Sequence, residues 1–486
     1  MFLRPEKDIL QRLDDIPRVE PEPDERRDRI IVGKAVEEKL SGLGEDVKDL
    51  VTEELSRSAQ GSAIWIKMVV ELLEMRQVRA LTPMRAFLDR LPQPDQLSQL
   101  YSSLLSCHTS DDLQNQGLAI SALETFAISR RPLTILEVAW AATLSCAKED
   151  VTSVAALAGL VDHQRVMALI RPFVALVDFD DTKRCQVRLV HQSVEEFVLE
   201  GWTSTRHGLQ HSDTSPTTDD AQVKHTARRL EASILNNCIR YLLLVEIGLN
   251  YLFSEGQEAI EAMPQEYDLF GDHDEPANYD PTVTWETWEE NMVRYDPSER
   301  GLGELFVYAS CHWVEHFGAV EVDSPPGLAS IETLCQAGSL RLKNWTEQFT
   351  RPQCTIQRRF VFDSRLYDPL SITSLYGSEA MLQMMLEGSD FSTVKFLPNS
   401  PMVVVDQILR WGDKSRIKLL FLIMRAWSFS GMSDRGWDTL FDLVDGVLET
   451  MIRESWGSEL LQPGTIQSSG LNSCTAANEQ QALRST

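Results

Sequence analysis

The chain has 486 residues, 43% of them hydrophobic and 24% charged, with 46 Lys and Arg against 73 Asp and Glu and a formal net charge of −27. That length predicts about three domains with substantial cores. So acidic a chain is repelled by nucleic acid and by anionic membrane, so neither is expected as a partner. Arg4, Glu6, Lys7 and Asp8 interrupt the start, which argues against a secretory leader. No stretch reaches the roughly 18 apolar residues of a membrane span. The eight cysteines lie at 107, 146, 185, 238, 311, 335, 354 and 474 without a C-x-x-C pair. They read as reduced, mostly buried thiols of an intracellular protein. The expected location is the cytoplasm, with the nucleus left open.

Residues 1–30 carry little pattern, and Val19 to Glu25 is a Pro/acid stretch unsuited to regular structure. A modest helical face runs from Asp28 to about Leu40. Helices are predicted over 45–58 and 62–76, the second with Ile64, Trp65, Met68, Val69 and Leu72 on one side. A helix over 112–129 turns Leu118, Ala122, Leu123 and Phe126 inward. Pro132 stops it, and Thr134 with Glu137 three residues on forms a capping box for the next helix. A third helix is predicted over about 158–171.

Phe173, Ala175, Val177 and Phe179 then alternate, as do Cys185, Val187 and Leu189, with Asp180 to Arg184 as a polar turn between them. This is strand periodicity, and it predicts a β-hairpin. Beyond His191 the period changes: Val190, Val194, Phe197 and Val198 share one face of a helix. A strand therefore runs into a helix with a histidine at the joint. The order helix, helix, helix, hairpin, helix over 112–202 reads as a winged-helix unit.

The run Leu189-Val190-His191-Gln192-Ser193-Val194-Glu195-Glu196-Phe197 resembles the end of the winged-helix domain in NACHT-type signalling NTPases, the STAND class. The fungal branch that often carries ankyrin repeats is the closest likeness. Gly61-Ser62-Ala63-Ile64-Trp65-Ile66 resembles the helix that closes the family's nucleotide-binding region. Leu91-Pro92, Leu97, Leu100 and Tyr101 resemble its link into the helical section, and Arg131-Pro132-Leu133-Thr134 with Glu137 is a further family mark. The resemblance implies that His191 descends from a contact to the β-phosphate of bound ADP. On the residues alone, a satisfied histidine at a strand–helix corner fits the same position.

Residues 203–225 read as a polar linker. Helix resumes over about 226–246, with Leu230, Ile234, Cys238, Tyr241, Leu242 and Val245 in register. Residues 255–300 hold fourteen Asp and Glu against two Arg, which predicts a solvated acidic loop or, alternatively, a docking segment for a basic partner. A helix over 301–318 lines up Leu305, Phe306, Ala309, Trp313 and Phe317, and its Phe306 to His316 string resembles the fungal family's helix between winged helix and repeats. Gly377 and Gly412, 35 residues apart, each follow an aromatic residue and precede similar apolar spacings. Asp368-Pro369-Leu370-Ser371-Ile372 stands where ankyrin has T-P-L-H-x-A. A third copy around Phe441 to Glu454 fits less well, and an ordinary helical C-terminal domain suits the same residues. Gln462 to Thr486 has the composition of a disordered tail.

Two motifs bear on chemistry. No G-x-x-x-x-G-K-[ST] loop occurs: Val32-Gly33-Lys34-Ala35 lacks the first glycine and the hydroxyl. ATP hydrolysis by this chain as written is therefore not expected. His312-Trp313-Val314-Glu315-His316 satisfies the H-x-x-E-H pattern of a zinc peptidase, with Glu379 and Glu387 as formal third ligands. The better match of that helix to the fungal family makes zinc a distant alternative, and no catalytic or metal residue is assigned.

The resulting expectation is a mainly α, helical multi-domain chain with a winged-helix unit and a degenerate ankyrin-like C-terminus. Its parts are a nucleotide-region remnant (1–92), a helical link and winged helix (93–202), a polar linker (203–225), a helical region with the acidic loop 255–300 (226–350), a helical or repeat section (351–461) and a tail (462–486). The expected role is a non-enzymatic regulatory or adaptor protein that binds other proteins, among them a full-length NACHT paralogue. The alternative is the C-terminal portion of an active STAND NTPase, which would need ADP or ATP and an upstream P-loop domain. No other cofactor is expected, and His191 is the one candidate cofactor-binding residue.

Overall fold

The computed structural model describes residues 24–109, 112–147, 150–175, 182–183, 185–200, 219–262, 294–320, 326–356, 358–360, 362–398, 400 and 404. Contacts divide the chain into two units, 1–398 and 399–486. The first unit is mainly α-helical, with one two-stranded sheet among the described residues.

Helix α1 (Glu25–Lys39), α2 (Glu45–Ser58), α3 (Ala63–Arg76) and α4 (Leu81–Leu88) form the first bundle. Side-chain caps explain where two of them start. Asp24 accepts from Arg26 N, and Ser62 accepts from Trp65 N. Two left-handed residues, Gln60 (φ 49°) and Gly61 (φ 83°), turn the chain between α2 and α3. The buried Asp28 carboxylate accepts the Gly61 N–H at 2.7 Å and so ties α1 to that turn. Helix α3 is apolar almost all round because it is central: Trp65, Ile66, Met68, Val69 and Val70 are all buried. Val32-Gly33-Lys34 lies inside α1, so its backbone N–H groups are committed to the helix.

Helix α5 (Leu97–Thr109) packs on α3 and passes to α6 (Leu113–Ile128). Then come strand β1 (Leu133–Thr134), α7 (Ile135–Cys146), α8 (Val154–Ala158), α9 (His163–Ile170), strand β2 (Gln186–Val187) and α10 (Gln192–Glu200). The capping box is formed on both sides: Glu137 N to Thr134 Oγ1 is 3.2 Å, and Thr134 N to Glu137 Oε2 is 2.9 Å. Strand β2 pairs antiparallel with β1, Leu133 opposite Val187, a pairing that no local sequence pattern announces. On its other side it meets the chain at Val174, opposite Leu189, with Ala175 N to Arg188 O at 2.8 Å and Val190 N to Phe173 O at 2.9 Å. Val187 faces in while Gln186 and Arg188 face out, as the alternation predicts. Phe173 and Ala175 do not alternate as expected. Phe173 ends a 3-10 turn and is buried with Val174, and Ala175 is exposed. Val177, Phe179 and the turn residues Asp180, Asp181 and Arg184 lie outside the described residues. The third helix is shorter than predicted, and α8 precedes it as a separate turn.

Helix α11 (Asp219–Leu242) begins seven residues earlier than predicted, inside the expected linker. Its 24 residues make a rod of about 36 Å. It packs against α6, α7 and α10 on one side and against α13 (Phe306–Ala319) and α14 (Leu328–Leu334) on the other. The acidic stretch is not all loop: α12 (Glu255–Ala262) and a 3-10 turn over Pro297–Arg300 occupy its ends. Helix α15 (Leu340–Phe349) sets Trp345 edge-on to Trp313 at 5.1 Å, an arrangement that adds about 0.5–1.5 kcal/mol to their burial. Helices α16 (Pro369–Tyr376) and α17 (Glu379–Gly388) form a hairpin. Its entry is set by the buried Asp368, which accepts from Ser371 N and Oγ and from Leu397 N. The compared stretch 410–421, the third copy and the tail lie outside the described residues.

Candidate functional site

Two polar clusters stand out against this apolar framework. The first is at the strand–helix joint. His191 is exposed and sits where β2 has ended and α10 begins. Its Nδ1 accepts the Ser193 N–H at 3.1 Å and lies 2.7 Å from Ser193 Oγ. Ser193 Oγ is 2.8 Å from the hydroxyl of Tyr101, which α5 buries completely. Phe173 and Phe197 hold that ring from two sides, at 6.0 and 5.4 Å. Burial pushes the Tyr101 hydroxyl pKa up, so it stays a neutral hydrogen-bonding group.

A backbone N–H can only donate, so Nδ1 of His191 must accept. The neutral ring therefore carries its proton on Nε2, on the exposed residue. His191 thus caps α10 and presents a single donor. It is not half of a serine–histidine nucleophile. Ser193 is buried, its hydroxyl is shared with Tyr101, and the ring has no carboxylate partner among the described residues. One donor does not make a phosphate cradle, which needs several N–H groups and a lysine. Glu195 and Glu196 come next on the same helix, and burial with their mutual repulsion raises the Glu195 pKa.

The second cluster joins the segments on either side of α11. Its centre is His316, fully buried on α13. Nδ1 of His316 is 2.6 Å from Glu231 Oε2 of α11, and Nε2 is 3.0 Å from the Tyr308 hydroxyl two turns back on α13. Arg130, in the turn after α6, closes the circuit. Its Nη2 donates to Glu231 Oε1 at 2.8 Å, and its N–H donates to the Tyr308 oxygen at 3.3 Å. Arg131 lies over the Tyr308 ring at 5.4 Å and forks onto Glu137 with bonds of 2.8 and 2.5 Å.

This cluster lends no support to the zinc reading of His312, Glu315 and His316. In this arrangement the one lone pair of the neutral His316 ring, on Nε2, faces the Tyr308 hydroxyl. His312 Nδ1 faces Glu315 at 3.5 Å, too long for a good hydrogen bond, and no metal-holding group of His, Cys, Asp and Glu occurs among the described residues. Glu387 bonds Gln383 on its own helix. Sequence reasoning placed Tyr308 and His316 on one helix but missed Arg130 and Glu231, whose partners lie 178 and 85 residues away. No local pattern signals such pairs.

Of the seven described cysteines, Cys238, Cys311 and Cys335 are buried, Cys107, Cys185 and Cys354 half-buried and Cys146 exposed. Burial pushes the Cys238 and Cys311 thiols up to about 12, so they are inert packing groups. Among the described residues no helix is long and apolar enough to cross a membrane. No family profile, curated protein or solved structure matches this chain.

Proposed function

We propose that this chain is a non-enzymatic regulatory or adaptor protein, related to fungal NACHT–ankyrin receptors, that works in the cytoplasm through contacts with other proteins. The observation that carries the reading is the element order over residues 113–190: helix, strand, helix, short helix, helix, then β2, which lies between β1 and Val174. That order supports a winged helix. The lack of a P-loop sequence argues against nucleotide turnover.

Charge and contacts argue against a DNA-reading winged helix. The exposed positions within α9 and at its N-cap are Asp162, Gln164 and Ala168, none of them basic, while Arg171 at its C-cap and Arg188 beside β2 are exposed. Arg165 is turned to Asn115 and Gln114. Lys183 in the hairpin turn binds Asp296, Ser298 and Glu304. Two exposed arginines against a formal net charge of −27 are a poor basis for phosphate contacts. The exposed position of His191 favours a second reading, in which the chain is part of a nucleotide-switched STAND NTPase.

The test is co-expression with a full-length NACHT protein of the same organism that has an intact P-loop. A stable complex with altered ATP turnover by that partner is expected. The absence of a complex, together with ATP hydrolysis by the chain alone, refutes the adaptor reading.

A further inference from the structure

The Arg130–Glu231–His316–Tyr308 circuit has a fixed hydrogen-bond polarity. Glu231, paired with Arg130, can only accept, so Nδ1 of His316 carries a proton. In the neutral ring Nε2 accepts from the Tyr308 hydroxyl, while the Tyr308 oxygen accepts the Arg130 N–H. Nε2 must then be unprotonated, and Nδ1 carries the proton that Glu231 accepts. Every member is satisfied only while the ring is neutral. A second proton, on Nε2, would meet the Tyr308 O–H head-on and force that hydroxyl proton to turn away inside a buried site.

The groups that face His316 are few. From α11 comes Glu231, and from the turn after α6 comes Arg130. Its own helix supplies Tyr308, His312 and Glu315, with Arg130 Nε 3.8 Å from Glu315. Arg131 and Cys238 act on Tyr308. Contacts from α15 and α16 to α13 are neutral: the Trp345 ring on Trp313, the Gln348 carbonyl on Cys311, and the Tyr376 carbonyl beside Gly318. Glu231 alone favours the charged ring strongly, and it is shared with Arg130.

We propose that this circuit is a proton-sensitive joint: charging His316 removes the acceptor of Tyr308 and loosens α13 from α11 and from the 129–131 turn. Burial, ahead of the opposing pull of Glu231, lowers the His316 pKa from its ordinary value. That direction sets the sign. The unfolded ring takes up a proton as pH falls below about 6.5 while the folded ring does not. The joint is therefore fully stable above that pH and weakens as pH falls towards the folded value. One proton changes the opening equilibrium by up to about tenfold per pH unit in that window.

The test is amide exchange of the full chain at pH 7.5 and 5.5, corrected for the intrinsic pH dependence of exchange. The expected result is that peptides covering 129–131 and 306–319 lose about tenfold protection at pH 5.5 in the wild type. The variant H316N, which keeps a donor towards Glu231 and cannot take the proton, is expected to lose none there. Equal loss in H316N, or no loss in the wild type, overturns the proposal. If H316N does not fold, nitrogen-15 spectra of the wild-type imidazoles decide. A ring protonated at Nδ1 and bare at Nε2 at pH 7.5, staying neutral in the folded chain at pH 5.5 while protection is lost, supports the joint. The opposite tautomer, or a folded ring that charges near the ordinary histidine value of about 6.5, refutes it.

Discussion

Asn344 makes the most direct test of how the second half of the unit is held. It is 1% exposed on α15 and serves three backbone groups of one loop. Its Oδ1 accepts the Leu252 N–H at 3.2 Å, and its Nδ2 donates to the carbonyls of Ile247 at 2.9 Å and Asn250 at 2.7 Å. Asn344→Ala leaves a donor and two acceptors without partners. A buried polar group stripped of its bond costs about 1–3 kcal/mol, and the Asn250 carbonyl, only partly buried, falls at the low end. The sum is about 3–5 kcal/mol, a loss seen only when a defined mechanism operates. Asn344→Asp sharpens the test. It keeps the acceptor for Leu252 but sets a buried carboxylate against two carbonyl oxygens, so at pH 7 it is at least as damaging as alanine. Its folded pKa is raised above the unfolded value near 3.9, so its deficit shrinks as pH falls through the folded value. Urea denaturation at pH 7 and pH 5 measures both. A loss below about 1 kcal/mol for Asn344→Ala, or a pH-independent deficit for Asn344→Asp, refutes the clamp.

Three further outcomes rest on the same kind of contact. Gly303 has φ +76°, and a Cβ there would collide with the Tyr241 hydroxyl, Trp140 and Val154. Gly303→Ala is expected to destabilise by about 2–5 kcal/mol in thermal unfolding, from left-handed strain and overpacking together. Thr134→Ala removes the side-chain cap of α7 and is expected to lower stability by about 1 kcal/mol, with exchange at the Glu137 amide rising in step. Metal analysis of the purified chain is expected to find no stoichiometric zinc, since His316 is committed to Glu231 and Tyr308. One zinc per chain, lost on substituting His316, contradicts that assignment.

Elements with strong local signals were legible in the sequence. The 45–58 helix, the apolar 63–76 helix and the Thr134–Glu137 box appear where their periodicity and capping residues place them. The inward face of Val194, Phe197 and Val198 and the alternation about Val187 hold as well. Partnerships between distant residues were not legible. Strand β1 is two residues long and exists only because β2 lies beside it. Asp219 to Lys224 reads as polar linker because its sequence is polar, yet it starts the helix α11. The H-x-x-E-H string shows the hazard in reverse. Its spacing suits a metal, while the structure pairs the ring with a carboxylate 85 residues upstream that no spacing rule anticipates. At the His191 joint, the position was legible from the change of period. The tautomer was not, because it depends on the Ser193 amide and the Tyr101 hydroxyl.

At the centre of the proposed function, the chain acts without turning over or holding nucleotide. Heat release of any bound nucleotide from the purified full chain, with chromatographic quantification, tests this most directly. The predicted result is no stoichiometric ADP or ATP, with His191 acting as the cap of α10. About one ADP per chain, lost on His191→Ala without loss of folding, would contradict it and return the chain to the nucleotide-switched receptors.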